Sequence, residues 1–314
     1  MNVFVTNKCI KHCSFCFNTK MDGEEPSLEK LKDYVDRIPP GMPAKLLGGE
    51  PTLHPEFSNL LRHCLSSNRQ VMLFSNLLTD HRTWKEVADL TIGCQPGQFS
   101  LVANSTELYG ERWKTFRENL ELFRNHGKAK VTFSYTIGEA FDSSCIDFDY
   151  LKEFLKGGSH EVRLSCQMPF PGSESIVIGN EKLGANVVEF MDKLGEDLFQ
   201  RVNFDCLLLP CWFSENDWAK YKFLRNDNGQ FCKAAPFDVF VCNDAAIYGL
   251  CCQDIECSID DVKTIDVAKV TNRLTNRYHA HELALGVPKI CRECRYFGDE
   301  CGGGCLPMRR QILK

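Results

Sequence analysis

Along the first two-thirds of the chain, short runs rich in β-branched and aromatic residues alternate with longer stretches whose apolar residues recur every three to four positions. The short runs predict strands over residues 2–6, 44–47, 70–74, 98–102, 130–136 and 161–165. The longer stretches predict helices over 28–38, 55–67, 83–88, 108–125, 150–156 and 182–200. The period is clearest in 108–125, where Trp113, Phe116, Leu120 and Phe123 follow one helical face. Pro55 suits a first helical turn, and Ser27 can cap its helix. Six strands alternating with helices imply an α/β fold, a parallel sheet with right-handed crossovers that is either open or a partial barrel. After about residue 205 this order decays into short runs and loops such as RNDNG and FGDECGGGC. The expected domains are therefore 1–205 and 206–314.

Composition narrows the class. With 314 residues, 43% hydrophobic and 25% charged, the chain can bury a sizeable core and is not disordered. A net charge of −5 argues against a general affinity for nucleic acid or acidic membranes. The apolar runs are far too short to cross a bilayer, and MNVFVTNKC has no signal-peptide pattern. Of the 18 cysteines, seven lie within residues 1–205 and eleven after them. A disulfide framework suits small secreted domains with little core. Here a cytoplasmic location is expected, with clustered thiols binding metal or doing chemistry.

Cys9, Cys13 and Cys16 follow the first predicted strand with Cys-x3-Cys-x2-Cys spacing. Three thiolates on one loop can hold three irons of a cubane cluster, leaving one iron open to a ligand. A zinc site lacking one ligand, or three unrelated thiols, are the alternatives. Their position at the C-terminal end of a strand favours a ligand site, because α/β folds bind there. Phe15 adds an aromatic face that can pack on a cofactor ring. His12 lies inside the loop and is expected to face solvent. Gly48, Gly49 and Glu50 follow the second predicted strand. The glycines allow a close backbone approach, and the carboxylate can accept hydrogen bonds from an ammonium group.

In this combination, CIKHCSFC and GGEP resemble the signature motifs of the radical SAM superfamily. The resemblance spans residues 1–205 and implies a partial (β/α)6 TIM-like barrel. It implies that Cys9, Cys13 and Cys16 hold a catalytic [4Fe–4S] cluster whose fourth iron is chelated by S-adenosylmethionine. Gly48, Gly49 and Glu50 would then contact the methionyl part. Reductive cleavage would give a 5′-deoxyadenosyl radical that takes hydrogen from the substrate. Ser75, Asn76, Ser100 and Asn104, at or after the third and fourth strands, are further candidates for cofactor contact; turn-making and capping are their ordinary roles.

The tail carries Cys291-x2-Cys294-x6-Cys301-x3-Cys305, which by itself reads first as a zinc ribbon. Behind a radical SAM core it resembles a SPASM or twitch extension, a small cysteine-rich α+β domain holding auxiliary [4Fe–4S] clusters. Cys232, Cys251, Cys291, Cys294, Cys301 and Cys305 map onto that pattern in order. Ala246 replaces an expected glycine, one gap holds six residues rather than five, and no cysteine follows Cys305. By resemblance, Cys211 or Cys206 with Cys232, Cys251 and Cys305 would hold one cluster, and Cys291, Cys294 and Cys301 most of another. Cys252, Cys257 or Cys242 are candidates for the missing ligand.

Modification of a peptide or protein is the favoured activity. Dehydrogenation or epimerisation of a sugar or alcohol is the alternative, and a non-catalytic iron–sulfur or zinc protein is the competing class. The expected partners are a peptide or small-molecule substrate and a flavodoxin- or ferredoxin-type electron donor. With the first cluster cysteine at position 9, no leader-binding domain is expected ahead of the core, and peptide recognition is expected to be direct or to fall to a separate protein.

Overall fold

The computed structural model describes the chain except residues 17, 19–24, 125–128, 170–176, 207, 225–239, 243, 244, 253, 260–264 and 314, and except the side chains of 240–242 and 250. Seven strands run parallel: β1 Asn2–Phe4, β2 Ala44–Leu47, β3 Val71–Ser75, β4 Phe99–Asn104, β5 Lys130–Ile137, β6 Glu161–Cys166 and β7 Val202–Phe204. The connecting helices are α1 Leu28–Arg37, α2 Phe57–Ser66, α3 His81–Thr91, α4 Glu111–Arg124, α5 Phe148–Lys156 and α6 Glu181–Leu194. The order β1 to β7 is sequential, with no pairing of β7 to β1, so the barrel is partial. In register, Val3, Leu46, Leu73, Leu101 and Val131 form one continuous row, each fully buried. A parallel sheet covered by helices reads as near-continuous apolar runs for this reason.

The expected α/β fold is present, with differences that have local causes. A seventh strand, β7, was not expected. The helix expected over 182–200 stops at Leu194, because Gly195 adopts φ 94° and a 3₁₀ stretch, Glu196–Arg201, leads into β7. The helix expected over 108–125 starts only at Glu111, because Glu107 and Gly110 both have positive φ. Pro55 precedes α2 instead of opening it. Ser27 does cap α1, accepting from the Lys30 amide.

Beyond β7 lie α7 Glu215–Tyr221, the strands β8 Phe240–Cys242, β9 Ala245–Ile247 and β10 Glu256–Ser258, and then α8 Val267–Leu285, α9 Lys289–Arg292 and α10 Leu306–Ile312. The strands β8, β9 and β10 are antiparallel to one another, but β8 pairs parallel with β1. One sheet therefore crosses the position of the expected domain border. The 19-residue α8 lies in a region expected to lack periodicity; its buried stripe is only Val270, Leu274 and Tyr278. Among the described residues, no helix is long and apolar enough to cross a membrane.

Candidate active site

The cysteine loop leaves the C-terminal end of β1 and is held from both sides. His12 takes φ 52° to turn the chain and is exposed, as expected, and the Cys16 amide donates to the Cys13 carbonyl. Lys11 points inward: it is only 3% exposed, and its Nζ donates to the Asn104 carbonyl at the end of β4, 2.9 Å away. Ser14 donates to Glu107, and Arg112 donates to the Lys11 carbonyl. Burial pushes the Cys13 thiol up to about 11, with the thiols of Cys16 and Cys9 adding to the rise and Lys11 opposing it. Burial likewise raises Cys16 and lowers Lys11. Two thiols that resist ionising alone, in a loop with a third and beside buried Lys11, suit a cationic metal group that would neutralise them.

Gly48 and Gly49 act on this loop. A Cβ on Gly48 would sit 2.3 Å from the Thr6 carbonyl oxygen, and one on Gly49 would sit 2.1 Å from that of Lys8. Only glycines let the turn after β2 lie flat against the chain leading to Cys9. The contact continues the β1–β2 pairing: Gly49 N donates to Thr6 O and Glu50 N to Lys8 O, both at 2.7 Å. The close approach read from sequence as serving a ligand therefore serves the cysteine loop.

Glu50 is 0% exposed, and its carboxylate is already engaged. Oε1 accepts from Thr52 Oγ1 at 2.7 Å, Ser75 Oγ at 2.8 Å and Thr52 N at 3.3 Å, while Oε2 accepts from Asn76 N at 2.7 Å. Burial pushes its pKa up from the usual carboxylate value, and these hydrogen bonds oppose the rise. Glu50 thus joins the ends of β2 and β3. From that junction Asn76 reaches the loop, with its Nδ2 3.7 Å from Cys9 Sγ.

Phe15 and Ser14 form one wall of a cleft that encloses about 570 Å3 including its mouth. The other walls come from the ends of β4, β5 and β6: Ser105, Thr106, Thr136, Gly138 and Gln167, with Tyr109, Trp113 and Cys145 around them. The structure brings Asn76, Asn104 and Phe15 to this end of the sheet. It does not bring Ser100, the second residue of β4, which lies beside the Val71 carbonyl that begins β3. At 3.3 Å per residue that is about 13 Å from the cysteine end. Sequence reading missed Lys11, Glu107 and Arg112. The one available signal was a lysine among the cysteines.

The tail thiols fall into two groups. Cys211, Cys291, Cys294 and Cys301 line a single cavity of about 720 Å3 including its mouth, walled by Ile178, Leu209, Ile290 and Phe297. Burial pushes the Cys211 and Cys291 thiols up to about 11. Cys206 instead lies near Cys251 and Cys166, and burial pushes it up to about 12. Cys305 is buried at the start of α10 and does not line the cavity. Cys232 lies outside the described residues, as does the side chain of Cys242. The aromatics of 211–221 pack between the core and the tail: Trp212 and Trp218 are buried, and Trp218 Nε1 donates to Glu300. Arg309, not singled out from sequence, holds the glycine loop beside Cys301 by donating to the carbonyls of Gly302, Gly303 and Gly304. Cys64 is buried in α2, and burial pushes its thiol up to about 12, as a packing residue would show.

The partial parallel β/α barrel thus carries three thiols on the loop after its first strand. Residues 3–147 match the radical SAM superfamily. The superfamily implies a [4Fe–4S] cluster and S-adenosylmethionine. The fold is also that of Streptococcus suis SuiB. The structure of SuiB bound to S-adenosylmethionine superposes with a TM-score of 0.59 at 16% identity, covering 97% of this chain and 72% of that one. SuiB bound to precursor peptide SuiA gives 0.60 at 14% identity, covering 97% and 71%. A search of curated proteins finds no match.

Proposed function

We propose that this protein is a peptide-modifying radical S-adenosylmethionine enzyme, with residues 1–205 as its catalytic core and 206–314 as a SPASM- or twitch-like domain holding auxiliary [4Fe–4S] clusters. The observation that carries the reading is the loop of Cys9, Cys13 and Cys16, fastened to the sheet by Gly48, Gly49 and Glu50 and opening on the cleft beside Phe15. These three thiolates would hold the catalytic cluster. With S-adenosylmethionine bound, that group supplies the electron that splits the sulfonium and starts hydrogen abstraction.

The chain's own residues do the positioning. Lys11 brings a buried positive charge beside the thiolates and ties their loop to β4. Asn76 donates toward Cys9 from the Glu50 junction. Because Glu50 is closed off while Gly48 and Gly49 are half-buried, the backbone of this turn would take the methionyl end of S-adenosylmethionine, with the carboxylate acting from behind. Thr106 and Thr136, joined by a 2.7 Å hydrogen bond from the Thr136 amide, offer polar groups to a ribose, and Phe15 a face for the base. Asn104 contributes by holding Lys11. Walls from four loops limit water around a reactive species.

A peptide substrate is favoured because a protein sharing the fold over 97% of this chain is recorded with a precursor peptide. The reading includes a flavodoxin- or ferredoxin-type donor, peptide binding either directly or through a separate recognition protein, and a reducing cytoplasmic setting. Anaerobic incubation of reduced, cluster-loaded protein with S-adenosylmethionine and a candidate precursor peptide tests it. The peptide should change mass as 5′-deoxyadenosine forms. Oxidation or epimerisation of a small alcohol, with every peptide left unchanged, would assign the substrate to the other class.

A further inference from the structure

Resting on the reading of the tail as an iron–sulfur domain, we infer that Cys211, Cys291, Cys294 and Cys301 form one complete four-thiolate site for an auxiliary [4Fe–4S] cluster. Cys211 supplies the ligand that the tail's own cysteine pattern lacks. This regroups the sequence assignment, which placed Cys211 or Cys206 with Cys232, Cys251 and Cys305 and left Cys291, Cys294 and Cys301 one ligand short.

Several independent features place Cys211 there. It sits in the 3₁₀ turn Pro210–Trp212, 80 residues before Cys291, yet it lines the same cavity as the three tail cysteines. The turn is locked in place. Trp212 is 2% exposed, and its Nε1 donates to the Val177 carbonyl at 2.8 Å. Gly184 of α6 presses so closely that a Cβ there would lie 1.9 Å from the Trp212 carbonyl oxygen. Cys211 is therefore presented by the rigid barrel, and the other three thiols by the tail.

Two of the four sulfurs already receive backbone donors. Gly179 N lies 3.3 Å from Cys211 Sγ, and Gly303 N lies 3.4 Å from Cys301 Sγ. Amide donors to sulfur are among the features that tune thiolate-bound clusters. The cavity walls are apolar, as a dry cluster site requires. Four cysteine thiols are the usual protein ligand set of a [4Fe–4S] cluster, and all four line this one cavity. Cys206, not Cys211, is the barrel-side cysteine next to Cys251, so the two groups use different thiols from the same junction.

The test begins from a variant combining Cys9→Ala, Cys13→Ala and Cys16→Ala, which removes the catalytic site and leaves only tail iron after anaerobic reconstitution. Into it are placed Cys211→Ser, Cys291→Ser, both together, and Cys64→Ser as a control. Iron and sulfide are counted, and EPR spectra of the reduced protein are recorded. Cys211→Ser and Cys291→Ser should each remove about four iron atoms per chain, or convert the same EPR signal, and the double variant should lose no more. Cys64→Ser should keep all of it. In the otherwise unaltered chain, Cys211→Ser should retain the EPR change that S-adenosylmethionine causes at the catalytic cluster, which separates ligand loss from misfolding. If Cys291→Ser loses the signal while Cys211→Ser leaves iron and spectrum unchanged, Cys211 is not a ligand and the inference fails alone. If the starting variant carries zinc or no iron, the iron–sulfur reading of the tail fails and takes the inference with it.

Discussion

The two cysteine sites are built in opposite ways. Cys9, Cys13 and Cys16 lie within eight residues on one loop, and the surrounding barrel only holds that loop in place. The tail cavity takes Cys211 from a turn locked to the barrel and Cys291, Cys294 and Cys301 from a segment 80 or more residues later. A local site survives damage to the domain interface, and a composite site does not. The first offers three thiols beside a cleft, which would leave one iron of a cubane free for a reactant, while the second offers four thiols among apolar walls.

The largest expected effect separates the two sites. Cys13→Ala should abolish 5′-deoxyadenosine formation while the iron bound in the tail persists. Losing both kinds of iron together would contradict their independence. Next in size is Gly49→Ala. Its Cβ would overlap the Lys8 carbonyl, so urea unfolding should report a loss of about 3 kcal/mol, at the upper end of overpacking costs. Iron at the catalytic loop should fall before iron in the tail. Normal stability and full cleavage would mean that the glycines do not seat the loop.

Arg309→Gln should act on the other site only. Removing a guanidinium that serves three carbonyls should cost about 2 kcal/mol and loosen the loop after Cys301. Tail iron should drop, with cleavage of S-adenosylmethionine retained but uncoupled from product. Loss of cleavage itself would join the two sites functionally.

The smallest effect lies in the barrel away from both. His160 is buried, and its Nδ1 accepts the Val131 amide, which requires the neutral ring. Burial, with Arg201 and Arg124 nearby, holds its pKa below the usual value. The unfolded chain takes up this proton near pH 6.5 and the folded chain only at lower pH, so stability is full above about 6.5 and falls as pH drops. The slope is at most about 1.4 kcal/mol per pH unit, and His160→Gln should remove that part of a stability–pH curve while leaving both iron contents unchanged. An unaltered curve would show that His160 does not titrate in this window.

The same contrast explains what was legible in the sequence. Strands β1 to β6, most of the helices between them and the cysteine loop depend on neighbours a few residues apart, so alternation and spacing exposed them. Glycines at 48 and 49 signalled a close approach correctly, but which backbone they approach depends on strand pairing that spacing does not contain. Ser100 was misplaced because strand direction and register decide which end of β4 faces the ligand. Cys211, Lys11 and Arg309 act through tertiary placement, across as many as 93 residues for Lys11 and Asn104. α8 escaped notice because three buried residues among many polar ones make a thin stripe.

The most direct measurement of the central claim is an anaerobic assay of the cluster-loaded, dithionite-reduced protein with S-adenosylmethionine. Methionine and 5′-deoxyadenosine should form in equal amounts, and Cys13→Ala should reduce both to background. Fully loaded protein that binds S-adenosylmethionine yet yields neither product would contradict the assignment of the Cys9, Cys13 and Cys16 loop as a radical-generating site.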